Sequence, residues 1–149
     1  MGSAFIPDLQ VLAPHRAESA SVLLITVVYT NSIDTTAALK SAATLSVGLE
    51  ADIDLVVPHV VPFPLPLARP SVPPGFTLQR LLDLAADADV QPSIFVYLCR
   101  DALETLLQVL DLHSVIIIGS RNRWLPARPD RLARALRKNG HNVILARHP

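Results

Sequence analysis

Continuous apolar runs alternate along this chain with segments whose apolar residues recur every three or four positions. Val22 to Tyr29 (VLLITVVY) is β-branched and apolar throughout, the pattern of a strand buried on both faces. Asn31 and Ser32 then offer a helix cap, Asp34 places charge in the first turn, and Ala38, Ala42, Leu45 and Leu49 mark one helical face. Ile53 to Val61 (IDLVVPHVV) predicts a second strand with Pro58 near its end, and Thr77 to Ala86 resumes helical spacing through Leu78, Leu81, Leu82 and Ala85. Ser93 to Leu98 predicts a third strand. Asp101 with Glu104 three residues on resembles a capping box opening a helix with Leu103, Leu106, Leu107 and Leu110 on one side. Val115 to Ile118 predicts a fourth strand ended by Gly119. Asp130 is positioned to cap a last helix carrying Leu132, Ala135 and Leu136, which Gly140 stops, and Asn142 to Ala146 predicts a fifth strand.

Five apolar strands separated by four helices require a parallel sheet covered on both faces, a three-layer doubly wound α/β fold. Ligands in such sheets bind beyond the carboxyl ends of the strands, where the winding reverses. The remaining segments punctuate this unit. Residues 1–21 lack sustained periodicity and contain Pro7 and Pro14, so they read as a mobile or edge-packing tail before a domain spanning 22–149. Seven of the thirteen prolines fall between Pro58 and Pro74. Missing amide donors and fixed φ make residues 58–76 a stiff crossover loop.

Composition narrows the class. Of 149 residues, 50% are hydrophobic and 17% charged, the opposite of a disordered chain. No apolar run approaches the ~18 residues of a spanning helix, and MGSAFIPDLQ does not read as a signal peptide, so neither membrane insertion nor export is expected. A single cysteine, Cys99, fits a reducing compartment, and the expected location is cytoplasmic. Thirteen basic and thirteen acidic residues cancel, so bulk charge predicts no nucleic-acid partner. The cancellation conceals a division. Residues 1–120 carry five basic and twelve acidic side chains, and residues 121–149 carry eight basic and one acidic, a net −7 against +7. Any electrostatic steering comes from the C-terminal fifth.

The five glycines stand too far apart for a dinucleotide loop, a phosphate loop or a nucleophile elbow. The five histidines show no metal-ligand spacing, and no metal is expected. Cys99 ends a strand at the ligand edge beside Arg100, where its thiol is either a small buried hydrophobe or a reactive group. No acid–base pair stands out, so a binding or regulatory module is expected and no catalytic residue is assigned.

HSVIIIGSRNR at 113–123 resembles the D-L-I-V-V-G-S-R-G hallmark of the universal stress protein family. PHVVP at 58–62, SIDTTAAL at 32–39 and CRDALETLLQVL at 99–110 are similar to that family's second strand, first helix start and capped third helix. The resemblance covers about residues 22–147. It implies strand order 3-2-1-4-5 and a homodimer formed by the last strand, here Val143, Ile144, Leu145 and Ala146. An apolar edge of that kind independently calls for a cover.

Nucleotide-binding members share an aspartate ending the first strand and a loop G-x-x-G-(nine residues)-G-[ST] after the fourth. On that pattern Thr30 stands where the aspartate belongs, Gly119 matches the first glycine, and Asn122 replaces the second. Pro129 and Asp130 fall on the terminal Gly-Ser pair. Proline offers no amide, and a carboxylate about 5 Å from a phosphate costs roughly 3 kcal/mol per charge at an effective dielectric of about 20. Arg121, Arg123 and Arg128 offset part of that. Thr30, Val60, Gly119, Ser120, Arg121, Arg123 and Asp130 therefore describe a vestigial or modified nucleotide cleft, with Trp124 and Leu125 as its lid or as dimer contacts.

The resemblance, taken with these departures from the binding pattern and the lack of an acid–base pair, leads to the expectation of a dimeric, non-enzymatic stress-response domain without a cofactor, acting through an unidentified protein partner. Two alternatives stay open. One is an ATP- or AMP-binding member with an Arg-rich loop and weak ATPase activity; the other is a regulatory domain of a membrane transporter.

Overall fold

A computed structural model describes residues 3–5, 23–61 and 74–149, with side chains specified in the stretches 23–61 and 77–149. The elements run β1 (Ser3–Phe5), β2 (Leu24–Val28), α1 (Ser32–Leu49), β3 (Asp52–Val60), α2 (Pro74–Asp87), β4 (Ser93–Cys99), α3 (Ala102–Val109), β5 (Val115–Arg121), α4 (Arg128–Lys138) and β6 (Asn142–His148). They form one sheet in the order β1-β4-β3-β2-β5-β6. The five long strands are parallel, in the order 3-2-1-4-5 that the family resemblance implies.

The departures from the predicted elements are local. Within the 1–21 tail, Ser3–Phe5 pairs antiparallel with Tyr97–Cys99 and covers the β4 edge. Pro58 lies inside a paired strand, opposite Tyr97, rather than opening the crossover loop, and Pro74 already belongs to α2. Residues 62–73, the body of the proline-rich segment, lie outside the described residues. Gly119 does not end its strand: it pairs with Ala146, and β5 continues through Ser120 and Arg121, opposite Arg147 and His148.

Alternation of side chains across the pleat builds two cores. Ile25 and Val27 of β2, with Ile117 of β5, face Ala38, Leu39 and Ala42 of α1 and Leu81 of α2. Val28, Ile116 and Ile118 point the other way, onto Leu106 of α3 and Ala133 and Leu136 of α4. Isoleucine and valine suit both faces because their branched side chains fill a pleated surface covered on either side.

The helix starts follow their capping chemistry. The Asn31 side-chain oxygen accepts the Asp34 N–H at 2.8 Å, and Asp101 accepts the Glu104 N–H at 2.9 Å, each satisfying an orphan first-turn donor. Helix α4 starts differently from the expectation. Its N-cap is Ala127, and Asp130 sits inside the first turn. Gly119 fixes how α1 meets the sheet. A Cβ there would lie 1.7 Å from the Asp34 carbonyl oxygen, so β5 and the first turn of α1 touch backbone to backbone.

Candidate functional site

The chain reverses its winding at β2: it moves outward through β3 and β4, then returns to place β5 and β6 on the other side. A cavity of about 620 Å³ opens at the carboxyl ends of these strands. Tyr29 and Thr30 beyond β2, Val60 at the end of β3, Asp101 before α3, and Arg128 and Arg131 of α4 contribute to its wall. The Thr30 N–H donates to the Thr35 hydroxyl at 3.2 Å, which ties this corner to α1. The Thr30 hydroxyl itself is buried without a hydrogen-bond partner.

A second polar cluster closes the start of α4. The Asp130 carboxylate accepts the Ala127 N–H at 2.7 Å and the Ser120 hydroxyl at 3.0 Å, and it pairs with the Arg147 guanidinium at 2.8 Å. Arg147 also donates to the Ser120 oxygen at 3.3 Å. Asp130 is buried and Ser120 wholly so. Burial pushes the Asp130 carboxyl upward, but the Ala127 and Ser120 donors and the charges of Arg147 and Arg123 outweigh it and hold the group below its ordinary range. Helix N-termini gather anions because their first amides point outward unpaired. Here the chain supplies its own anion.

The residues expected to share one cleft are thus divided. Thr30 and Val60 line the cavity. Gly119 is spent on the contact with α1, while Ser120 and Asp130 satisfy each other. Arg121, the last residue of β5, and Arg123 beyond it are exposed and outside the cavity wall. Trp124 and Leu125 do not lid the cavity; they stand 93% and 61% exposed. The Cys99 thiol is buried and raised by that burial, with Thr105 hydrogen bonding opposing the shift and Asp101 adding to it, so it packs as a hydrophobe.

Two participants escaped the sequence reading. Arg131 enters the cavity wall from a helix face that looks solvated in the one-dimensional pattern. Asp34, recognised only as a first-turn charge, is buried and meets His148 Nε2 at 2.5 Å across 114 residues of sequence. No local spacing signals a contact that only the pairing of β6 with β5 creates. Among the described residues no group of histidine, cysteine, aspartate or glutamate side chains is placed to hold a metal ion, and no helix is long and apolar enough to cross a membrane.

A doubly wound parallel sheet with a crevice at its switch point defines the class, a three-layer α/β domain. Two solved structures give the fold its name. The chain is similar to a universal stress protein in complex with cAMP, at 14% identity and a TM-score of 0.54, over 86% of this chain and 98% of that one. It is also similar to a protein from the universal stress protein family from Burkholderia pseudomallei, at 18% identity and a TM-score of 0.53 over the same shares. No family model matches the sequence, and no curated protein matches it. The fold is that of the universal stress proteins.

Proposed function

We propose that this chain is a non-enzymatic binding domain of the universal stress protein type that does not hold ATP in the family manner. It acts as a homodimer through β6, in stress response, by contact with a protein partner. The observation that carries this reading is the Asp130 carboxylate seated on the Ala127 amide and the Ser120 hydroxyl, where a phosphate would need both donors. A phosphate entering there has to displace a charge-paired carboxylate or approach it, and both are unfavourable. At the other end of the cleft, Thr30 offers a hydroxyl in place of the carboxylate that receives a ribose. The dimer reading is supported by the sheet itself, since β1 covers the β4 edge and, among the described residues, no strand covers the outer edge of β6.

Titration calorimetry with ATP and magnesium tests the central point. No saturable heat is expected at micromolar concentrations, and micromolar binding overturns the reading. One observation favours a second reading, in which the cleft takes a nucleotide with fewer phosphates. The cavity is open, lined by Thr30, Arg128 and Arg131, and a structural neighbour was solved with cAMP. AMP and cAMP in the same calorimeter, against the chain carrying Arg128→Glu and Arg131→Glu, separate the two.

A further inference from the structure

We propose that the basic flank of α4, with Trp124 and the adjoining cavity, binds single-stranded nucleic acid, phosphodiesters along the helix and one base in the cavity. The inference rests on the reading above, in which Asp130 closes the start of α4 to phosphate and leaves the side of the helix as the cationic surface. Arg128, Arg131, Arg134 and Lys138 recur at intervals of three, three and four, which places them on one exposed stripe. At 1.5 Å per residue the stripe is about 15 Å long, and one strand of nucleic acid presents about four phosphates over that length at duplex spacing. Among the described residues none of these four side chains is in an ion pair, and the one carboxylate of the segment, Asp130, is committed to Arg147. Neutrality of the whole chain therefore conceals a surface of one sign, and three of its four charges are guanidinium groups, whose paired donors match phosphate oxygens.

The cavity beside the stripe decides between kinds of polyanion. Its wall joins Arg128 and Arg131 to Tyr29, Thr30 and Asp101, whose carboxylate also accepts the Glu104 N–H at 2.9 Å. A carboxylate on a wall residue disfavours a phosphate beside it but accepts the amino group of a base. Phosphates on the helix and a base in the cavity satisfy both signs of charge. Trp124, 93% exposed in the loop that leads into α4, offers a second base a face to stack on. A bilayer surface would engage Trp124 and the arginines but leaves the cavity unfilled.

Fluorescence anisotropy of labelled single-stranded RNA and DNA of about twelve nucleotides tests this, within the site sizes usual for single-strand binders. The slope of log K against log salt should be about −2 to −3, as four phosphate contacts require. Neutralising the stripe by Arg131→Gln, Arg134→Gln and Lys138→Gln should weaken binding at least about thirtyfold at low salt and bring the slope toward about −1. Trp124→Ala should weaken it about tenfold without altering the slope. All four positions are solvent-facing, and circular dichroism with melting curves confirms that the variants fold. Absence of binding, or binding indifferent to the stripe, overturns the proposal. So does binding to phosphatidylserine vesicles without binding to oligonucleotides. ATP titrated separately distinguishes the two readings: micromolar ATP binding overturns the closed phosphate seat, whereas failure of the oligonucleotides with ATP also silent overturns this inference alone.

Discussion

Replacing Asp130 with asparagine keeps the size of the side chain and removes its charge. The native carboxylate serves three donors, the Ala127 N–H, the Ser120 hydroxyl and the Arg147 guanidinium. An amide has one acceptor oxygen, so in either orientation its NH2 faces a donor. A buried donor left unpaired costs about 1–3 kcal/mol. Arg147 is 46% exposed, so its pairing adds no more than about 1 kcal/mol. Losing a negative charge from the first turn of α4 removes a few tenths of a kcal/mol more, at about 0.3–1 kcal/mol for a dipole contact. The sum is about 2–3 kcal/mol, a Tm lower by about 5–10 °C for a chain of this size.

Urea denaturation followed by circular dichroism measures the difference, and its pH dependence tests the cause. The folded-state carboxyl is held below its ordinary value, near 3.9 in an unfolded chain, so its contribution is complete above that value. It is lost as pH falls through the lower folded value. The gap between native chain and variant should therefore be constant from about pH 7 to pH 5 and close below about pH 4. A gap under about 0.5 kcal/mol at pH 7, or one that widens on acidification, refutes the account of this cluster.

Three further outcomes follow from the same geometry. Gly119→Ala drives a Cβ into the Asp34 carbonyl and should cost at least about 3 kcal/mol, read as a fall in the urea midpoint; a midpoint unchanged from the native chain would show that α1 does not press on β5. Ile144→Lys places a charge on β6, whose outer edge no strand covers among the described residues and where Ile144 is 38% exposed; if the proposed dimer forms there, the mass measured by light scattering should shift from dimer to monomer with little loss of Tm. Cys99 should react with a thiol reagent only in denaturant, because its sulfur is fully buried and its thiol raised; rapid labelling of the folded chain at pH 7 would contradict this.

The apolar runs at 22–29, 93–98 and 115–118 were legible as strands because a parallel strand covered on both faces carries its pattern locally, one residue after another. The caps at Asn31 and Asp101 were legible for the same reason, since donor and acceptor lie three residues apart. The family likeness, carried by HSVIIIGSRNR and its neighbours, gave the strand order that the sheet adopts. Ser3–Phe5 was not legible as a strand, because three residues hold no period and their pairing partner lies some ninety positions away in β4.

The candidate site divides along the same line. That Thr30, Asn122 and Pro129 depart from a nucleotide-binding pattern is written in the residues themselves. The partners that hold Asp130 at the start of α4 are not. Asp130 looked like a cap by its position before an apolar helix, yet its carboxylate serves Ser120 from the neighbouring strand and Arg147 from the last one. Those two residues come together only because β5 and β6 run side by side, with Ser120 opposite Arg147. Likewise the charge division between residues 1–120 and 121–149 is a property of the sequence, but its gathering onto one flank beside a cavity belongs to the fold. Local interactions reach three or four residues and leave a periodic trace; hydrogen bonds and ion pairs between elements depend on strand pairing, which closes distances that the linear chain leaves open.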